Sequence, residues 1–172
     1  MLKMKASPEA YAVIKFYEKL RLTPYKATPA EKFYTGGYGH YSAALRPGMV
    51  ITEAMADQWL HEDVAAVEAV INKYAHPSIT QPMFDALVDL GFNNGTGAFI
   101  PDSVKNDFDD ALRAGDWAKV RATIPDFRNQ RINGKLVPLL GLVRRRATDV
   151  ALFDGRSGQV AIGIGQNVKS IK

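Results

Sequence analysis

The sequence contains no cysteine, which excludes a disulfide framework and any thiolate metal site. Histidine is almost as scarce. His40, His61 and His76 are the only three and show no metal-ligand spacing, so neither a metal nor a cofactor is expected. Long apolar runs are missing too, none approaching the roughly 20 residues that span a bilayer, and stable membrane insertion is not expected. Met1 to Pro8 carries two lysines and passes straight into a charged amphipathic segment without the apolar stretch of a signal peptide, so the chain is expected to accumulate in the cytoplasm of the cell that makes it. Gly36-Gly37-x-Gly39 is too short for a dinucleotide loop, and no Gly-Lys-Ser/Thr phosphate loop follows. Internal repeats and Pro/Ser-rich linkers are also absent.

What is there is ordinary in bulk. With 172 residues, 47% apolar and 23% charged, the chain suffices for one domain or for two small lobes sharing a core. Ser7-Pro8-Glu9 supplies a hydroxyl N-cap, a proline at the first helical position and an acid in the first turn. Ala10, Val13, Ile14, Tyr17 and Leu20 continue at helical spacing and predict a helix through Arg21, stopped by Thr23-Pro24. From Tyr25 to Pro47, aromatic residues interleave with Gly36, Gly37 and Gly39, which predicts a sharply turned β-hairpin. Thr52 caps a long helix to about Tyr74. Further helices are predicted from Gln81 to Gly91, from Asp102 or Ser103 to Arg113, from Trp117 to Ile124 and from Pro138 to Phe153, with Gln130 to Lys135 as a polar loop. The tail, Gly155 to Lys172, is glycine-rich and reads as a short strand or an ordered extension. The fold class is α+β: mainly helical, with a small β region at about 25–47 and a long helix linking it to a larger helical lobe. One domain is expected over 1–154, with 155–172 an extension of unassigned role.

The net charge is +4. A positive surplus favours nucleic acid, anionic lipid or the acidic bacterial envelope, and equally serves plain solubility. Arg144-Arg145-Arg146 suits nucleic acid, but it continues a helix whose Leu142, Val143 and Leu152 face a core, and no nucleic-acid module accompanies it. Nucleic acid is therefore not the expected partner.

Glu18 is the first unusual residue. It follows Ile14 by one helical turn and shares its otherwise apolar face. A carboxyl set against apolar packing holds its proton, as a general acid near neutral pH requires; an exposed helix-end glutamate fits the same spacing.

Glu18-Lys19-Leu20-Arg21-Leu22, then Tyr25, then Tyr34-Thr35-Gly36-Gly37-Tyr38-Gly39-His40 resembles the active-site signature of the phage-type lysozymes, the endolysins of glycoside hydrolase family 24. Asp85 to Phe99 looks like that family's central helix and its glycine-rich exit, and Gly141 to Phe153 like its arginine-rich closing helix. The resemblance covers roughly residues 10 to 153. It implies a muramidase that cuts the β-1,4 bond between N-acetylmuramic acid and N-acetylglucosamine in peptidoglycan during host cell lysis. Glu18 would be the general acid, and Thr35 would hold the attacking water. Arg145, with Arg144 or Arg146 as alternatives, would pair with Glu18 or line its pocket, opposing the effect of burial. His40 would pair structurally with Asp63. Tyr41, Phe92, Asn93 and Ser103 would border the saccharide cleft, although Phe92 suits a core equally well. The resemblance further implies a monomer that reaches the periplasmic cell wall with the help of a holin.

One position departs from the pattern. The family's second acid should fall about nine residues after Glu18, and there stands Ala27, which cannot act as a base. The loop Thr28 to Phe33 is about two residues longer than usual, and Gly36 replaces a β-branched residue. An introduced change and a divergent natural branch fit equally. Glu31, in the same loop, is a possible substitute at the wrong spacing. The expectation is an enzyme inactivated or weakened by Ala27, the alternative a peptidoglycan-binding module without catalysis.

Overall fold

A computed structural model describes residues 2–102 and 107–171. Helix α1 (Pro8–Glu18) begins as its cap predicts, with Ser7 accepting from the Glu9 amide. It ends short of Arg21 because Lys19 takes φ 60° and ψ 142° and turns the chain directly into strand β1 (Arg21–Tyr25). Strands β2 (Tyr34–Gly37) and β3 (His40–Ser42) complete an antiparallel sheet in the order β1-β2-β3. The β region is thus three-stranded and starts earlier than the expected hairpin. Pro24 masked the first strand; it is tolerated there because β1 is an edge.

Helix α2 (Glu53–Tyr74) runs from its Thr52 cap, and α3 (Gln81–Asn94) follows. A 3-10 turn (Thr96–Phe99) leads to Asp102. The predicted start at Asp102 or Ser103 falls partly outside the described residues; the described helix is α4 (Phe108–Ala114). Next come α5 (Trp117–Thr123) and a 3-10 turn (Ile124–Asp126). The expected polar loop is instead a hairpin of β4 (Asn129–Ile132) and β5 (Lys135–Pro138), turned by Asn133 and Gly134 at φ 48° and 80°, as a type I′ turn requires. Nearly all its side chains are exposed, so no burial alternation marked it in the sequence. Pro138 belongs to this strand, and α6 (Leu140–Phe153) starts after it.

Of the two expectations for the tail, the strand is not found: its centre is an ordered helix. Gly158–Gln166 forms helix α7, capped by Ser157 and packed on α1 and α6. Helix α3 lies at the centre of the bundle: Phe84 to Gly91 are all buried, as expected of a helix surrounded by others. A second, smaller core of Leu45, Ile51 and Ala56 lies against Leu20, Tyr34, Tyr38 and Trp59 and seats the sheet on α2. Among the described residues, no helix is long and apolar enough to cross a membrane.

Candidate active site

The site forms where α1, the sheet and α6 meet. Glu18 closes α1 with its side chain 22% exposed. Arg145, from the middle of α6, donates from Nη1 to Glu18 Oε1 at 2.5 Å. The remaining donors of Arg145 face inward: Nε and Nη2 bond the two Asp89 oxygens at 2.9 and 2.8 Å. That fork-to-fork geometry fixes the guanidinium plane, and the Tyr17 ring lies 5.1 Å beneath it. Glu18 therefore shares a cation that Asp89 already engages.

Behind Arg145 the charges continue. Arg146 is 1% exposed, with Nη2 3.8 Å from Asp89 and Nε 2.7 Å from Asp149, the latter off-line for a hydrogen bond. Burial pushes Asp89 upward, but the charge and hydrogen bonds of Arg145, the Asp149 carboxyl and Arg146 outweigh it and hold Asp89 below the usual carboxylate range. At Asp149, burial wins: despite Arg146, its carboxyl is pushed well above that range, with the facing Asp89 charge adding to the rise. Burial thus favours the protonated form at Asp149, while Arg145 favours the charged form at Asp89. Of the two arginines and two buried acids, the sequence signalled Arg145, with Arg146 as an alternative, and neither acid. The acids lie at helical positions that elsewhere would face water; Asp89 within the apolar stretch Leu87-Val88-Asp89-Leu90 was the one visible clue.

The sheet supplies the opposite wall. Gly39 joins β2 to β3 at φ 89°, and a methyl placed on it would lie 3.3 Å from Glu18 Oε2, so the turn backbone covers that carboxyl oxygen closely. An L side chain would be strained at that backbone angle and would crowd the carboxyl. His40, the next residue, stacks on Trp59 with centroids 5.0 Å apart and bonds Asp63 through Nδ1 at 2.9 Å, stapling the turn to α2. Thr35 pairs with Tyr41 on one side and Tyr25 on the other, one strand spacing of about 5 Å each. The place of the missing β-branched side chain at Gly36 is taken by Ile51, whose Cδ1 would collide with a methyl there.

Tyr41 is 49% exposed, its hydroxyl accepting from the Phe33 amide at 3.0 Å. Ala27 is exposed, in the loop after β1. Phe92 and Asn93 sit half-buried in the last turn of α3, Phe92 packing on the main core. Ser103 lies outside the described residues. A depression lined by Tyr17 and Lys19, which flank Glu18, and by Phe16, Gly141, Arg144 and Gln166 adjoins the site.

The chain is 41% identical over 151 residues to an endolysin of Bacillus phage PZA, covering 88% of itself but 55% of that relative. It is 36% identical over 151 residues to an endolysin of Acyrthosiphon pisum secondary endosymbiont phage 1, of which it covers 99%. The chain thus spans about half the length of the first relative and nearly all of the second. Among solved structures, the muramidase domain of SpmX from Asticaccaulis excentricus superimposes with a TM-score of 0.76 at 30% identity, over 88% of this chain and 98% of that one. The family model described as phage lysozyme matches residues 15–149, and the chain belongs to that family.

Proposed function

We propose that the chain is a muramidase that hydrolyses the β-1,4 bond between N-acetylmuramic acid and N-acetylglucosamine in peptidoglycan. The observation that carries this reading is Glu18: a half-open carboxyl held by Arg145 on one oxygen and facing the Gly39 turn with the other. In this reading Glu18 gives its proton to the leaving glycosidic oxygen. Thr35, in the middle strand of the sheet, orients the attacking water. Tyr41 and Asn93 border the sugar. Arg145 and the His40–Asp63 pair position the acid and the turn. Ala27 contributes no carboxylate, so turnover is weakened relative to an enzyme with an acid there. The same reading has a monomer made in the host cytoplasm that reaches the wall through a holin.

The test is release of reducing sugar from purified peptidoglycan, alongside clearing of permeabilised Gram-negative cells. The native chain is expected to act slowly, Glu18→Gln to lose about a hundredfold or more, and Ala27→Asp to gain. Ala27 also favours a second reading, a binding module without chemistry. Sedimentation with the wall, with no sugar released by any of these variants, would establish that one instead.

A further inference from the structure

Hydrolysis with inversion needs a second carboxylate across the sugar from the acid, to take a proton from the attacking water. The whole segment from Lys19 to Thr52, which contains all three strands and their loops, carries one acidic residue, Glu31. On α2, Asp57 is engaged by Lys15, Glu62 by Gln58 and Asp63 by His40.

Glu31 does not simply hang from its loop. Its own amide donates to the Thr28 carbonyl at 3.2 Å, and its Oε2 accepts from the Ala27 amide at 2.9 Å. The carboxylate is thereby folded back to the start of the loop, within one side-chain length of where an aspartate at position 27 would present its own. Position 27 lies two residues beyond Tyr25, the cross-strand partner of Thr35. The far end of the loop is pinned by the Phe33 amide on the Tyr41 hydroxyl. The flanking lysines are turned away, with Lys26 over the Tyr34 ring and Lys32 over the Phe33 ring, each at 5.1 Å.

We propose that Glu31 is the second catalytic carboxylate of this chain, delivered by its long loop to the place that Ala27 leaves without one. The inference rests on the muramidase reading above. In the step, a Glu31 oxygen takes a proton from water held beside Thr35, and the water oxygen bonds to the anomeric carbon. The bond from that carbon to the glycosidic oxygen breaks, its electron pair going to the oxygen, which receives the Glu18 proton. Exchange with solvent returns a proton to Glu18 and removes one from Glu31.

Glu31→Gln keeps an oxygen for the Ala27 amide, so the loop contact survives while the base is lost. Kinetics of sugar release should show kcat down about a hundredfold or more, with KM and thermal unfolding nearly unchanged. The acidic limb of the kcat/KM profile should disappear with it. Ala27→Asp combined with Glu31→Gln should recover at least the native rate, because the carboxylate is restored at the neighbouring position. Native turnover in Glu31→Gln overturns the inference. So does a loss that Ala27→Asp fails to recover, which would make Glu31 a loop cap only. A native chain that is inert while Ala27→Asp is active overturns it too, but leaves the muramidase reading standing. If no variant with Glu18 intact releases sugar, the muramidase reading itself fails.

Discussion

Arg145 is held by acids of unlike character: Glu18 at the edge of the site and Asp89 fully buried. With Arg146 and Asp149 they form a chain of charges whose balance depends on one proton. Asp149 is raised well above the usual range, first by burial, so folding takes up a proton there. Its contribution is present below the unfolded value of about 3.9 and is lost as pH rises toward the folded one. Asp149→Asn mimics the protonated acid and should be as stable as the native chain near pH 4 and more stable at pH 8. Asp89 has the opposite sign, depressed by Arg145 against the burial that raises it; its contribution is present above about pH 3.9 and lost as acid protonates it. Asp89→Asn should lose about 3–5 kcal/mol at pH 7, because it leaves two arginines without their buried counter-charge. Thermal unfolding of both variants across pH 4 to 8 decides the assignment, and a stabilised Asp89→Asn would reverse it. The signature around Glu18 made that residue, Arg145, His40 and Asp63 visible in the sequence. Asp149 was not, and Arg146 stood only as an alternative to Arg145, because one helical turn of arginines and acids has the same pattern on a wet face as in a core.

The long elements were legible for a simple reason. Helices α2 and α3 carry a hydroxyl cap or an early proline and then sustained apolar positions. The elements misread are those whose local pattern conflicts with their packing. The β4–β5 hairpin is exposed on both faces. Helix α7 spells Val160-Ala161-Ile162-Gly163-Ile164-Gly165, an alternation that suits a strand. Two of its glycines, Gly158 and Gly165, serve close approach instead. A methyl on Gly165 would lie 2.5 Å from the Arg144 carbonyl and collide with Thr148 Oγ1. That same hydroxyl donates to Arg144 and meets Tyr17, the residue under Arg145. Gly165→Ala must therefore lift α7 from α6, at a cost of about 1–3 kcal/mol. Gly163, with nothing within 4 Å, is the control: its replacement by alanine should add about 0.5–1 kcal/mol through helix propensity. Paired melting curves should shift in opposite directions; equal shifts would mean that α7 is not seated as described.

At the scale of the molecule, charge and architecture meet. The buried chain of Glu18, Asp89, Asp149, Arg145 and Arg146 contains three acids and two arginines, so none of the +4 surplus originates there. The surplus belongs to the rest of the protein, where it acts over distance rather than through contacts. On the muramidase reading, that field draws the chain toward an anionic wall and leaves bond cleavage untouched. Raising salt from about 0.01 M to about 0.15 M shortens the screening length from about 30 Å to about 8 Å. Wall clearing at low enzyme should slow several-fold over that range. The kcat on a short, uncharged oligosaccharide should stay constant. If both fall together, salt is acting on the Glu18–Arg145 pair and not on encounter, and the surface charge has no part in finding substrate.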